Sequence, residues 1–173
     1  MSNIKDIPSY NKIPQKTEKF INKLTNYLSE EEIILYGSIL RSDYVYNKSD
    51  IDIAIFTNNE SSTIYKLAAF LHTKQNNFNN IIWKLKNNII YGYKIKCDKI
   101  AGINCEISIY NTSFKDVLIE EYTRPNNWSL ITYILLFILK FFHYTIPILS
   151  QKYYSYLKRT IMKNNKGSEF LLL

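Results

Sequence analysis

Residues 35–56 read Leu35-Tyr-Gly-Ser-Ile-Leu-Arg-Ser-Asp-Tyr-Val-Tyr-Asn-Lys-Ser-Asp-Ile-Asp-Ile-Ala-Ile-Phe56. A short apolar run (33–36) ends at Gly37-Ser38, which predicts a buried strand that enters a tight turn. After a gap of eleven residues, an acidic pair leads into a second apolar strand at 51–56. Because side chains alternate along a strand, its isoleucines should share one face and Asp52 should lie on the other. The stretch therefore predicts two strands joined by a turn and a loop.

The acidic residues of the sequence are the candidate catalytic groups. Asp50 and Asp52 occupy alternate positions, so their side chains should project from one face and could bind the same pair of cations. Two Mg²⁺ ions about 3.5–4 Å apart need bridging oxygen ligands. Glu106 lies in a strand predicted at 103–110, pointing away from its apolar neighbours, and is the third candidate; Asp98 is the alternative. These residues are the predicted catalytic and metal-binding set, with Mg²⁺ or Mn²⁺ as cofactor.

Gly37 and Ser38 are candidate nucleotide-binding residues. At a turn after a strand, backbone N–H groups and a hydroxyl can approach a phosphate closely. An Asp-x-Asp pair alone is as often a solvated strand face, and a Gly-Ser pair alone is an ordinary turn. The combination at this spacing, with Glu106 later in the chain, favours an active site.

The Gly-Ser pair, the eleven-residue gap and Ser49-Asp-Ile-Asp resemble the signature of the DNA polymerase β-like nucleotidyltransferases. The resemblance implies two-metal transfer of a nucleotidyl group from an NTP such as ATP, with Gly37 and Ser38 on the triphosphate. It also implies an α/β (α+β) palm, with a small mixed sheet flanked by helices and a helical C-terminal extension. The family usually has Asp at the position of Glu106.

The second half resembles poly(A) polymerases and terminal uridylyltransferases of the Trf type. A capped helix at 113–122 and an apolar helix bearing Lys140 match their order. The resemblance implies that Lys140 contacts the triphosphate, and that Ser155 and Tyr156 contact the phosphates and stack on the base. The family's second lysine would fall at Tyr144. A lysine that extends to solvent and a tyrosine that packs in the core are the alternatives.

The leading functional hypothesis is non-templated nucleotide addition to an RNA 3′ end, as in polyadenylation. The net charge of +7 favours an anionic partner such as RNA. Two alternatives stay open: a minimal nucleotidyltransferase that modifies a protein or small molecule, and a catalytically silent palm subunit of a larger polymerase. The two cysteines lack zinc-site spacing and indicate reduced thiols in the cytoplasm.

The pattern predicts an N-terminal arm (1–14), a palm (15–124), a helical extension (125–163) and a flexible tail (164–173). Helices are predicted at 15–28, after a cap at Ser61 or Ser62, after a cap at Thr112 or Ser113, and from residue 128. A strand hairpin is predicted at 89–100 and 103–110, and residues 75–80 read as a loop or frayed helix end.

Residues 130–149 are strongly apolar and about as long as a membrane span. Lys140 and His143 interrupt the segment, and charge is costly in lipid. We therefore expect a buried core helix and no membrane contact. The C-terminal helices could also form the interface of a homo- or hetero-oligomer.

Overall fold

The computed structural model describes residues 13–85, 87–100, 103–123, 129–146, 149–163 and 169–171, with backbone alone for 98–100, 163 and 169–171. The helices are α1 Gln15–Tyr27, α2 Glu60–Phe70, α3 Lys115–Thr123, α4 Leu130–Tyr144 and α5 Gln151–Lys163. The strands are β1 Glu32–Tyr36, β2 Ile51–Thr57, β3 Asn79–Leu85, β4 Asn88–Ile100, β5 Ile103–Asn111 and β6 Glu169–Leu171.

The strands form one mixed sheet in the order β1-β2-β5-β4-β3-β6. β2 and β5 run parallel, whereas every other neighbouring pair is antiparallel. The predicted palm, a mixed sheet flanked by helices and followed by a helical part, is therefore confirmed. The parallel pair lies near one edge of the sheet and brings two distant acidic segments side by side.

Each face of the sheet packs against its own helices. Ile53, Ile107 and their alternate neighbours bury against α1 and α2 in the larger core cluster. Phe56 and Tyr110 lie on the opposite face and pack with Leu118 of α3. The predicted alternation in β2 and β5 is thus confirmed, and it places Asp52 and Glu106 on the face that α3 covers in part.

Two helical segments are capped by residues other than the predicted ones. The Asn59 side chain accepts the N–H of Ser62 at 3.0 Å and caps α2, so the prediction of a serine cap is wrong. Asn111 likewise accepts the N–H of Ser113 at 3.1 Å, at the start of a 3₁₀ turn that precedes α3. Asparagine is as good an N-cap as serine, so composition alone did not select between neighbouring candidates.

Two segments predicted as irregular contain strands. β3 begins inside the asparagine-rich stretch and pairs along its whole length with β4. Within the predicted flexible tail, residues 169–171 pair with β3. Pairing across the sheet outweighs local composition at both places, because strand propensity depends strongly on tertiary context.

α4 is not the buried core helix that its composition predicts. Its buried side chains are Thr132, Leu136, Leu139 and Lys140. The exposed apolar side chains of this helix are Leu130, Ile131, Ile134, Leu135, Phe137, Ile138, Phe141 and Phe142. Among the described residues, α4 packs against α5 and bonds to the loop at 41–49, and these contacts leave most of its apolar side chains exposed. Within the described part of the chain, no helix is long and apolar enough to cross a membrane.

Candidate active site

The sheet register brings two of the three predicted acids together. Asp52 of β2 lies directly opposite Glu106 of β5 in the parallel pair. Asp50 immediately precedes β2 and, like the other two, is partly buried. Register partners on adjacent strands have side chains on the same face, so Asp52 and Glu106 are neighbours.

The surroundings of Asp52 raise the pKa of its carboxyl from 3.8 to about 7. Burial is the largest cause, followed by the charges of Asp50 and Glu106. Lys158 and Lys94 act in the opposite direction and offset only part of the rise. The charges of Asp50 and Glu106 thus add to the effect of burial, and a bound cation would oppose both.

Gly37 fits against the Asp52 carboxylate because it has no side chain. Its φ is +77°, a conformation that glycine adopts without penalty. A Cβ on Gly37 would lie 2.9 Å from Cγ of Asp52 and would collide with Oδ2. Ser38, the next residue, is buried beside this contact. The predicted Gly-Ser turn thus lies directly against the predicted catalytic strand.

An aromatic pair borders the acids. Tyr36 lies opposite Asp52 in the register of β1 and β2, and its ring stacks on Tyr122 of α3 with centroids 4.0 Å apart. Its hydroxyl lies 3.4 Å from Oγ of Ser108. Burial, followed by the charge of Asp52, raises the pKa of Tyr36, so this hydroxyl stays protonated beside the acids.

Glu106 already has a cationic partner that the sequence reasoning missed. Nζ of Lys94 in β4 lies 2.7 Å from Oε1 of Glu106. Among the residues that the structure describes, no three acidic, histidine or cysteine side chains converge into a metal-binding group. The side chain of Asp98, the alternative third ligand, lies outside the described part.

The chemical type of the three carboxylates fits a hard divalent cation, although among the described residues they do not converge into a three-ligand group. Three carboxylates supply oxygen ligands of the kind that Mg²⁺ and Mn²⁺ prefer. Burial, and after it the charges of Asp50 and Glu106, raises the pKa of Asp52, and the Lys94 ammonium lies 2.7 Å from Oε1 of Glu106. Asp50, Asp52 and Glu106 are therefore the residues of this chain that could hold the metal.

Removing the Asp52 charge should stabilise the fold in a pH-dependent way. Between pH 4 and 7 the folded chain keeps a proton on Asp52 that the unfolded chain releases, so the free energy of unfolding falls as pH rises. We expect the free energy of unfolding of Asp52→Asn to exceed that of the wild type by roughly 2 kcal/mol at pH 8, and this difference should vanish near pH 4. Urea unfolding at both pH values measures it.

Asp116→Asn removes a carboxylate from an exposed site of α3 and is the matched control, with little change expected. A stability difference for Asp52→Asn that grows toward acid pH would contradict the prediction.

Lys140 lies in a buried ion pair. Its side chain is 4% exposed, and Nζ donates to Oδ2 of Asp43 at 2.9 Å and to the Asp43 carbonyl. Arg41 also binds the Asp43 carboxylate, at 2.8 Å. The alternative in which Lys140 extends to solvent is wrong. The predicted triphosphate contact stays a prediction, and it would require Lys140 to leave Asp43.

The ion pair implies a structural effect that a purely ligand-binding lysine would lack. Lys140→Met should lower the free energy of unfolding by about 2–3 kcal/mol, since breaking one side of a buried pair leaves a carboxylate with fewer partners. Lys152→Met on the exposed face of α5 is the control. Urea unfolding without nucleotide checks the result; unchanged stability would show that Lys140 is free to serve a ligand.

The remaining predicted nucleotide-binding residues, Ser155 and Tyr156, lie on α5. Tyr156 is 66% exposed, so the alternative of a packing aromatic is wrong for this residue. Ser155 is partly buried. The packing role belongs to Tyr154, whose ring stacks on His143 with centroids 4.0 Å apart. The structure brings neither Ser155 nor Tyr156 into a contact with the acids, and their nucleotide-binding roles stay predictions.

Lys158 is the second cation that the sequence reasoning missed. Its charge lowers the pKa of Asp52, which places it within electrostatic range of the acidic group. Its Nζ lies 6.0 Å from the centre of the Tyr154 ring. A signal for Lys94 existed, since it alternates onto the Glu106 face of the predicted hairpin; no local signal linked Lys158 to residues a hundred positions earlier.

Among solved structures, the chain is similar to a cytoplasmic RNA terminal U-transferase, with 17% identity and a TM-score of 0.38 over 86% of this chain and 47% of that chain. It is also similar to a Cid1 poly(U) polymerase mutant bound to MgATP, with 16% identity and a TM-score of 0.41 over 84% of this chain and 50% of that chain. For Cid1 in complex with the UTP analog UMPNPP, the identity is 18% and the TM-score is 0.39 over 84% of this chain and 48% of that chain.

The chain spans about half the length of these structures. Similarity this low adds nothing to a family assignment. No significant match was found among curated proteins. The nucleotidyltransferase domain family matches residues 16–124, more than half of the 173 residues, and this range includes the Gly-Ser turn and all three acids. The chain therefore belongs to the nucleotidyltransferase domain family.

Proposed function

We propose that this chain transfers nucleotides from an NTP, without a template, to an RNA 3′ end. The observation that carries the proposal is the pairing of Asp52 with Glu106 on parallel strands, with Asp50 beside them and Gly37 packed on the Asp52 carboxylate. The turn proposed to bind phosphate and the acids proposed to bind a cation thus lie against each other. Both are needed for nucleotidyl transfer.

Asp50, Asp52 and Glu106 would hold Mg²⁺ or Mn²⁺, which when bound activates the attacking hydroxyl and neutralises the leaving pyrophosphate. Gly37 allows the backbone to approach the triphosphate, and the Ser38 hydroxyl adds a hydrogen-bond donor. The pairing of β2 with β5 fixes the relative positions of Asp52 and Glu106, which would help to orient the reacting groups. Lys158 supplies a positive charge near the acids, and Lys140, Ser155 and Tyr156 remain proposed nucleotide contacts.

Charge and exposed aromatic rings support RNA as the acceptor. The net charge of +7 favours a polyanion. Tyr153 and Tyr156 on α5 are 67% and 66% exposed, and exposed rings of this kind can stack on unpaired bases.

The direct test is incubation of the full chain with each α-labelled NTP, Mg²⁺ or Mn²⁺, and an unstructured oligo-RNA. Label that lengthens the RNA supports the proposal. Label that appears on protein or on a small molecule favours the alternative acceptors. No incorporation with any NTP favours a silent palm that serves as a subunit.

Oligomer formation through the C-terminal helices stays a prediction. The exposed apolar face of α4 is the surface that a homo- or hetero-oligomer would bury. Size-exclusion chromatography with light scattering measures the state of the chain alone. The cytoplasmic location also stays a prediction.

A further inference from the structure

Lys94 and Glu106 lie on neighbouring antiparallel strands and share one face of the sheet. In the register, Lys94 is opposite Ser108 and Lys96 is opposite Glu106. Lys94 therefore reaches Glu106 diagonally, a span that a long side chain can cover. At 2.7 Å, its Nζ donates a charge-assisted hydrogen bond to Oε1 of Glu106.

The pair is partly shielded from water. The Lys94 and Glu106 side chains are 30% and 26% exposed, and an ion pair in such surroundings is stronger than one at the open surface. Asp52 and Tyr110 also lie within electrostatic range of Lys94. The ammonium thus neutralises one side of the acidic group to which a divalent cation would bind.

We propose that Lys94 is an internal competitor of the divalent metal: it pairs with Glu106, and it must release this carboxylate before Glu106 can become a metal ligand. The inference rests on the proposed function and deepens it. The physical reason is that an ammonium and a divalent cation repel each other when both approach one carboxylate. Metal binding is therefore coupled to a movement of the Lys94 side chain.

Mn²⁺ titration of the full chain, read from the electron paramagnetic resonance signal of free Mn²⁺, tests the competition without any turnover. Lys94→Met keeps the aliphatic stem and removes the charge. We expect it to bind Mn²⁺ about tenfold more tightly than the wild type, which corresponds to ~1.4 kcal/mol. Lys84→Met, which makes the same charge change at an exposed site of β3, should leave the affinity within about twofold.

The Glu106→Gln variant tests whether the competition acts through the Glu106 carboxylate. In Glu106→Gln protein, the gain from Lys94→Met should shrink to less than about twofold, because the competition acts through that carboxylate. If Lys94→Met does not fold, Lys94→Gln replaces it. This variant keeps a hydrogen-bond donor without the charge, and it should show the same gain in Mn²⁺ affinity. The melting temperature of each variant with and without Mn²⁺ reports folding independently.

The outcomes separate the two proposals. A wild-type chain that binds no Mn²⁺ would overturn the proposed function and this inference with it. A wild-type chain that binds Mn²⁺, together with a Lys94→Met variant of equal or weaker affinity, overturns the inference alone and shows that Lys94 does not compete. A gain that persists in the Glu106→Gln background, or that Lys84→Met reproduces, also overturns it.

Discussion

Asp50→Asn is expected to lower nucleotidyl transfer roughly a thousandfold, or by ~4 kcal/mol in the activation free energy, while leaving the fold intact. The carboxamide keeps the size and one acceptor oxygen of the aspartate, but it loses the negative charge that binds a divalent cation. The measurement is incorporation of labelled NTP into oligo-RNA by wild type and variant with matched circular dichroism. Mn²⁺ affinity should fall in parallel.

Ser38→Ala is the comparison variant for this experiment. It should lose less activity, because backbone N–H groups of the turn still contact the phosphate. Equal activity of Asp50→Asn and wild type would refute the catalytic assignment. Absence of activity in both proteins would instead favour the silent-subunit alternative.

Gly37→Ala is expected to reduce transfer about a hundredfold, since displacement of a catalytic group by as little as 1 Å has effects of this size. The added Cβ would collide with Oδ2 of Asp52, and the φ of +77° is itself unfavourable for alanine. Either the turn or the carboxylate must move. The free energy of unfolding should also fall by about 1–3 kcal/mol. Labelled-NTP incorporation and urea unfolding give the two values.

Gly92→Ala separates the local effect from a general loss of stability. A Cβ there would lie 2.6 Å from the Ile109 carbonyl oxygen and from the Tyr110 ring, so the variant should also be destabilised. Its collision does not involve the acids, and activity per folded molecule should stay near the wild-type value. A comparable activity loss in both glycine variants would contradict a specific role for Gly37.

Much of the palm follows from local patterns in the sequence. The alternation of apolar and polar residues predicted β2 and β5 because side-chain direction in a strand depends only on position parity. The shared face of the acidic pair and the direction of Glu106 followed for the same reason, whereas the Gly-Ser turn was identified from its residue types and from the motif that it forms with the acidic pair. The placement of the acids on one face needed only the register of β2 and β5, which the two apolar faces enforce.

The partners of the charged residues could not be predicted in this way. Lys140 and Asp43 are 97 positions apart, and their buried pair exists because α4 packs against the loop after the Gly-Ser turn. Alternation along the predicted hairpin puts Lys94 on the Glu106 face, but only the observed register sets the two residues diagonally within reach of each other. The apolar composition of α4 likewise does not specify how much of the helix is covered, since that depends on which elements pack against it.

The sequence alone thus determined the strands and the candidate acids, which are encoded in residue type and short-range periodicity, and its motifs carried the resemblance that implied a nucleotidyltransferase palm. The tertiary structure decided which cations face the acids: Lys94 binds Glu106, Lys158 lies within range of Asp52, and Lys140 is held by Asp43. Such pairings follow from packing between segments distant in the chain, where distance and burial, and not residue type, determine the strength of an ion pair.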